Sequence, residues 1–168
     1  MSLGTVYMTP DGMRRAQASL ERKCSEYDAI CRERTIAHEL SGDGWHDNPH
    51  FNRLQQLEAD KSREIASLKT IMGSARLFVI NAKSRPTDAV RLGSIVRIQT
   101  TQHCTGFVQN SIWEIVGYDE TNAVEGKLAY NSPLGAALIG REEGDVSTVS
   151  LVGIKTDILV DSFLENHP

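Results

Sequence analysis

The sequence predicts an α+β protein in which an N-terminal antiparallel helical hairpin precedes a C-terminal antiparallel β-sheet domain with one short helix. Two observations support this class. The first 80 or so residues contain two long runs whose apolar side chains recur about every 3.5 residues, as in a coiled coil. Beyond residue 90, short alternating or β-branched runs are bounded by glycine, asparagine and aspartate, which is typical of strands.

Composition and charge restrict the classes of function. The chain has 168 residues and a net charge of −4, and no apolar run approaches the roughly 20 residues of a membrane helix. We therefore expect no membrane contact. Cys24, Cys31 and Cys104 lack metal-binding spacing, and such a scattered set fits a reducing compartment, so a cytoplasmic location is expected.

The charge is unevenly distributed between the two halves. Residues 1–86 contain 13 basic and 11 acidic side chains, whereas residues 87–168 contain 5 and 11. Because phosphate binding depends on clustered cations, the second half alone is a poor nucleic-acid ligand. Any nucleic acid would meet the first half or be held by a partner protein.

The first helix is predicted to start at Thr9 and Pro10, a capping residue followed by a proline at the first helical position. Gly42 ends it. Its apolar stripe consists of Met13, Ala16, Leu20, Cys24, Tyr27 and Cys31.

The second helix is predicted to start at Asn48 and Pro49, and its stripe consists of Leu54, Ile65, Leu68, Met72 and Ala75. Glu58 and Lys61 fall within this stripe, which predicts a seam that loosens toward the turn. A short turn forces the two helices to run antiparallel for about 40 Å. The narrow stripes favour a projecting coiled coil over a hairpin packed on a globular body.

The turn, residues 42–51, concentrates chemically active side chains. It holds the acids Asp43 and Asp47, the imidazoles of His46 and His50, and Trp45. The acids either solvate the turn or deliver negative charge to another molecule. Trp45 either contacts a partner or folds back on the helix ends. A self-contained metal site of the two acids and two histidines is disfavoured because an exposed turn lacks supporting hydrogen bonds.

The second half begins after a linker near residues 81–88, where the helical period stops and turn residues cluster. Strands are predicted near 92–98, 111–117, 146–152 and 154–160. Between them, Ser132 and Pro133 open a short helix that Gly140 closes. The predicted domains are residues 1–82 and 83–168.

The segment 130–145, YNSPLGAALIGREEGD, resembles the bacterial Gre-type transcript cleavage factors, GreA and GreB. The entry Met8–Gly12, the helix lengths and the Gly42-Asp43 pair agree with that family. The resemblance covers nearly the whole chain and implies a coiled coil followed by an FKBP-like domain.

The turn formed by residues 42–51, called the tip below, departs from the family pattern, in which Gly-Asp is followed by Glu-Asn and then a tyrosine. Asp47-Asn48 and Phe51 match those positions with one extra residue, and aspartate is one methylene shorter than glutamate. Without that insertion, His46 would take the second acidic position. Arg53, Lys61 and Arg63 are scattered and form no evident basic patch. These differences bear on activity more than on fold.

The resemblance implies a transcription elongation factor that is itself no enzyme. It would bind RNA polymerase, insert its tip in the secondary channel and stimulate cleavage of backtracked RNA at the nascent 3′ end. Asp43 and Asp47 would share Mg²⁺ with the polymerase, binding none stably alone, while Trp45, His46 and His50 would contact the complex. Asn131, Ser132 and Pro133 would dock on the polymerase, and a monomer is expected.

Three alternatives remain open. A factor of the same shape could occupy the channel and inhibit transcription without cleavage. Ser132 could be only a helix cap. A free-standing metal-binding or prolyl isomerase protein is the least favoured reading, because isomerase activity would rest on fold analogy alone.

Overall fold

The computed structural model of the chain describes residues 5–42 and 48–166. These residues form two compact units. The first is built on Met13–Ala75, and the second contains Tyr7–Gly12 and the chain from Arg76 onwards. The predicted α+β class is confirmed, since two long helices precede a β-sheet that carries one short helix.

The first helix, α1, spans Pro10–Ser41 and begins where the sequence predicts. Thr9 Oγ1 accepts a hydrogen bond from the Gly12 amide at 3.0 Å, so the hydroxyl caps the first turn. All residues of the predicted apolar stripe are half-buried. Gly42 follows the helix with φ of 52°, a conformation that glycine adopts without strain.

The second helix, α2, spans Pro49–Gly73 and is capped by Asn48, whose side chain accepts from the amides of His50 and Phe51. Ion pairs join it to α1 in antiparallel register. Lys61 Nζ lies 2.9 Å from Glu26 Oε2, and Arg34 Nη1 lies 2.9 Å from Glu58 Oε2. The predicted antiparallel pairing of the two helices is therefore confirmed.

The predicted loosening of the seam toward the turn is wrong. Ala37, Phe51 and Leu54 form a buried cluster at the end of the hairpin next to residues 43–47. The polar positions Glu58 and Lys61 lie farther along α2 and face opposite charges on α1. Polar residues at these positions do not loosen the contact between the helices, because their charges are paired across the seam.

Strands β1 (Val6–Met8) and β2 (Ala75–Leu77) form a two-stranded sheet. Neither strand was predicted. Each has three residues, which is too short for an alternating pattern to be recognised.

The second unit contains five strands, β3 Ile95–Gln102, β4 Val108–Val116, β5 Lys127–Ala129, β6 Val146–Leu151 and β7 Ile154–Leu164. They form one sheet of order β5-β4-β3-β7-β6. The four predicted strands are confirmed, and β5 is additional; it pairs parallel with β4, whereas the other pairs are antiparallel.

The short helix α3, Pro133–Leu138, covers the sheet beside β5 and β6. Leu138 is fully buried and joins an aliphatic core composed of Val90, Val96, Ile98, Ile115, Leu128, Ile158 and Val160. Within the described residues, no helix combines the length and apolar character that a membrane crossing requires.

Candidate functional site

The structure describes the two ends of the predicted tip. The predicted site residues Asp43, Trp45, His46 and Asp47 lie outside the described residues. On either side, the Asn48 amide Nδ2 donates a hydrogen bond to Ser41 Oγ. The Asn48 side chain therefore caps α2 and also bonds to Ser41, the last residue of α1, so it holds together the two ends of the six-residue segment 42–47.

A small apolar cluster supports these ends. Phe51 and Leu54 are buried against Ala37, with half-buried Ile30 beside them. The rings of His38 and Phe51 lie 5.8 Å apart, centroid to centroid, in a tilted arrangement. The sequence identified Phe51 only through its match to a family tyrosine, and its place in this cluster follows from the helix pairing.

His50 is the one predicted tip contact that the structure describes. Its Nε2 lies 3.3 Å from Glu33 Oε1 on α1, and both side chains are more than half exposed. A protonated imidazole would form an ion pair there. The predicted contact of His50 with the polymerase complex stays a prediction.

Two basic residues of α2, Lys61 and Arg63, contact carboxylates. Lys61 Nζ lies 2.9 Å from Glu26 and 3.3 Å from Glu64, and hydrogen bonds to these two acids raise the pKa of Lys61. Lys23 bonds to the same Glu64 carboxylate and, together with Lys61, lowers its pKa. Arg63 pairs with Asp60. Much of the positive charge on this part of the hairpin is therefore neutralised locally.

The predicted docking residues form an ordered loop between β5 and α3. Ser132 Oγ accepts from the Gly135 amide at 3.0 Å and donates to the Ala129 carbonyl at 2.8 Å. The interpretation of Ser132 as a helix cap is thereby confirmed, while its docking role stays a prediction. Asn131 and Pro133 are exposed on either side of it.

Sequence reasoning missed Glu120, a carboxylate in the second unit that is only 4% exposed. Its two oxygens accept from the Thr9 amide at 2.8 Å and from the Thr9 hydroxyl at 2.7 Å. The local sequence Tyr-Asp-Glu-Thr-Asn is typical of a solvated turn. No local signal could have shown the burial, because the partner is 111 residues away.

The described residues contain no group of three or more histidine, cysteine or acidic side chains arranged to hold a metal ion. The disfavoured site of Asp43, His46, Asp47 and His50 has three of its four members outside the described part of the chain. It is therefore untested.

Comparison with known proteins identifies the family. Residues 85–161 match the family model described as "Transcription elongation factor, GreA/GreB, C-term". The transcription elongation factor GreA of Roseiflexus castenholzii is 30% identical over 149 residues, which is 89% of this chain and 90% of that protein. GreA of Amoebophilus asiaticus is 31% identical over 159 residues, 94% of this chain and 97% of that protein.

Solved structures are similar at lower identity. The crystal structure of Thermus aquaticus Gfh1 is 23% identical, with a TM-score of 0.43 over 94% of this chain and 97% of that chain.

The relatives at 30% identity or above align along nearly the whole length, including both the helices and the sheet. The chain therefore belongs to the GreA/GreB family of transcription elongation factors.

Proposed function

We propose that this protein binds bacterial RNA polymerase, inserts its hairpin tip in the secondary channel and stimulates cleavage of backtracked RNA. The observation that carries the proposal is the closed end of the hairpin. The bond between Ser41 and Asn48 holds together the ends of a segment that contains two acids. A narrow helix pair ending in carboxylates is suited to bringing negative charge into a confined catalytic centre.

The donor chemistry of the tip fits magnesium, because carboxylate oxygens are the hard ligands that Mg²⁺ prefers. Bound at the polymerase centre, Mg²⁺ would supply Lewis acidity for phosphodiester hydrolysis. Asp43 would provide a ligand oxygen, and Asp47 would orient the attacking water or take its proton. Two carboxylates about 4 Å apart repel by roughly 4 kcal/mol at an effective dielectric constant of 20, so we expect the metal to be shared only within the complex.

The polymerase would provide the active site, and this protein would not be an enzyme itself. The exposed Asn131 and Pro133, on either side of the capping Ser132, are proposed to dock on the polymerase. The nascent RNA 3′ end would be reached through the polymerase. We expect the factor to act as a monomer in the cytoplasm, where the polymerase is.

A second function is favoured by the sequence of the tip. Aspartate at position 47 is shorter than the glutamate of the family pattern, and the spacing contains one extra residue. A carboxylate that falls short of the metal would leave a factor that occupies the channel and inhibits transcription without cleavage.

One assay separates the two functions. Stalled elongation complexes carrying 3′-labelled RNA are incubated with the wild-type factor, Asp43→Asn or Asp47→Asn, with and without Mg²⁺. We expect short 3′ fragments that require Mg²⁺ and that either substitution reduces by at least about tenfold, as expected for loss of a group that handles the metal.

Asp28→Asn is the matched control, because it removes the same charge from an exposed position on α1. It should leave cleavage unchanged. Slower elongation without fragments would support the inhibitory function instead. Absence of polymerase binding would contradict both.

A further inference from the structure

The buried carboxylate of Glu120 binds the start of α1 within the second unit, which includes Tyr7–Gly12. Burying a charge is costly unless it is hydrogen-bonded, and Thr9 supplies two donors to it at 2.8 and 2.7 Å. The same Thr9 hydroxyl accepts from the Gly12 amide at 3.0 Å. Glu120, Thr9 and Gly12 therefore form one continuous hydrogen-bonded chain at a helix N-terminus, where the helix dipole favours a negative charge.

Two glycines shape the space around this carboxylate. A Cβ atom added at Gly12 would lie 1.9 Å from Glu120 Oε1, and one added at Gly117 would lie 2.2 Å from the same atom. Larger residues at either position would displace the Glu120 side chain. The arrangement is thus fixed by packing as well as by hydrogen bonds.

The neighbouring residue, Asp119, connects to the predicted docking loop. Its amide donates to Asn131 Oδ1 at 2.9 Å. Its φ is 56°, a left-handed conformation that costs free energy in a residue other than glycine and persists only where the surroundings hold it. One peptide unit thus separates the amide bound by Asn131 from the residue whose carboxylate binds Thr9.

A second connection runs parallel to the first. The Tyr7 amide lies 3.2 Å from the hydroxyl of Tyr130, the residue that precedes Asn131. The Tyr118 amide donates to the Tyr7 carbonyl at 2.8 Å. The docking loop and the chain entering α1 are therefore bonded to the same short segment, residues 117–120.

We propose that Glu120 is a positioning residue, which couples the docking loop at Asn131 to the first turn of α1 through the Asp119–Glu120 turn. Its effect on transcription rests on the proposed function. With the loop bound to polymerase, the link keeps the first turn of the tip-bearing helix in one conformation. Loosening it leaves docking intact but lowers the effect of the bound factor on transcription, because the first turn of α1 is then less ordered.

The coupling is tested first in the free protein by amide hydrogen exchange at Gly12 and Asp119. Thr9→Val removes the capping hydroxyl, so exchange at Gly12 should accelerate at least about tenfold, whereas Thr9→Ser should restore protection. Asn131→Ala should accelerate exchange at Asp119 and, through Glu120, at Gly12 by at least about threefold. In a Glu120→Ala background, Asn131→Ala should have no further effect on Gly12.

Asn122→Ala is the matched control, because Asn122 Oδ1 also accepts a hydrogen bond from a backbone amide, that of Val124, and lies in the same loop between β4 and β5 as Glu120. It should leave Gly12 unchanged. If Asn131→Ala releases Asp119 without altering Gly12, the proposed link does not exist. Glu120→Gln removes the charge and leaves one acceptor oxygen where the wild type has two. It should also weaken the effect of Asn131→Ala on Gly12, and it replaces Glu120→Ala if that variant fails to fold.

The polymerase assay then distinguishes positioning from docking. Thr9→Val and Glu120→Gln should lower the maximal effect of the saturating factor on transcription by about threefold or more. The factor concentration that gives half of that effect should be nearly unchanged. Asn131→Ala should raise the half-saturating concentration as well. Exchange coupling without polymerase binding would contradict the proposed function alone, whereas equal loss of affinity and maximal effect in Thr9→Val would contradict positioning.

Discussion

The hairpin and the β-sheet domain are stabilised by different interactions. In the hairpin, the described buried cluster contains Ala37, Phe51 and Leu54, and the middle of the seam is occupied by charged side chains. The β-sheet domain instead buries a continuous set of aliphatic residues from β3, β4, β5, β7 and α3.

The difference shows which conditions each region depends on. Apolar packing responds to side-chain volume and little to pH or salt. Charged seams respond to both, because protonation removes partners and ions screen them. We therefore expect core substitutions to act mainly on the sheet, and solution conditions mainly on the hairpin.

The largest expected effect is on the free energy of unfolding, when a leucine is replaced by alanine in each of the two regions. Leu138→Ala opens a cavity at a fully buried position and should lower the free energy of unfolding of the β-sheet domain by about 3 kcal/mol. Leu68→Ala, at a half-buried seam position, should cost about 1 kcal/mol. Urea unfolding followed by Trp113 fluorescence in a Trp45→Phe background, and by helix circular dichroism, checks both. Equal costs would contradict the comparison.

Replacement by alanine at two glycines should change the free energy of unfolding in opposite directions. A Cβ at Gly135 would lie 2.2 Å from the Ala129 carbonyl oxygen, so Gly135→Ala should destabilise the domain by about 1–3 kcal/mol. At Gly73, the last residue of α2, nothing lies within 4 Å of the added atom, so Gly73→Ala should stabilise the helix by roughly 0.5 kcal/mol. Thermal unfolding of the two variants measures the sign directly.

The smallest expected effect is that of the Lys61 ion pairs on the stability of the hairpin, and it is the most sensitive to pH and salt. The pKa of Lys61 is raised by Glu26 and Glu64. The stability that Lys61 contributes to the hairpin is therefore fully present below its ordinary pKa of about 10.4 and is lost as the pH rises through the raised value. The pKa of Glu26 is lowered chiefly by Lys61, and that of Glu64 chiefly by Lys23. These contributions are present above about pH 4.3 and are lost as the pH falls through the lowered values.

Lys61→Met should therefore lower the melting temperature of the hairpin at neutral pH, and the difference from wild type should vanish near pH 2 or in about 1 M salt. Lys69→Met, at an exposed position on the same helix, is the control and should change little. Melting followed by circular dichroism across pH and salt is the measurement. A difference that persists at low pH and high salt would show that the Lys61 stem stabilises by packing instead.

Local chemistry was sufficient to predict the elements that begin with a strong signal. Thr9-Pro10, Asn48-Pro49 and Ser132-Pro133 each place a capping oxygen before a proline, and each starts a helix. The three-residue strands β1, β2 and β5 could not be predicted, because their pairing depends on distant partners. For the candidate site, the sequence predicted the two acids and the docking loop, which stay predictions, and it did not reveal Glu120.

By itself, the sequence determined the fold class, the ends of the helices and the family, because these depend on periodicity, capping residues and motifs that are local in the chain. Only the tertiary structure showed that Glu58 and Lys61 meet opposite charges and that Glu120 is buried against Thr9. The physical reason is that burial and charge pairing are properties of residues far apart in sequence. Their partners become known only when the chain is folded.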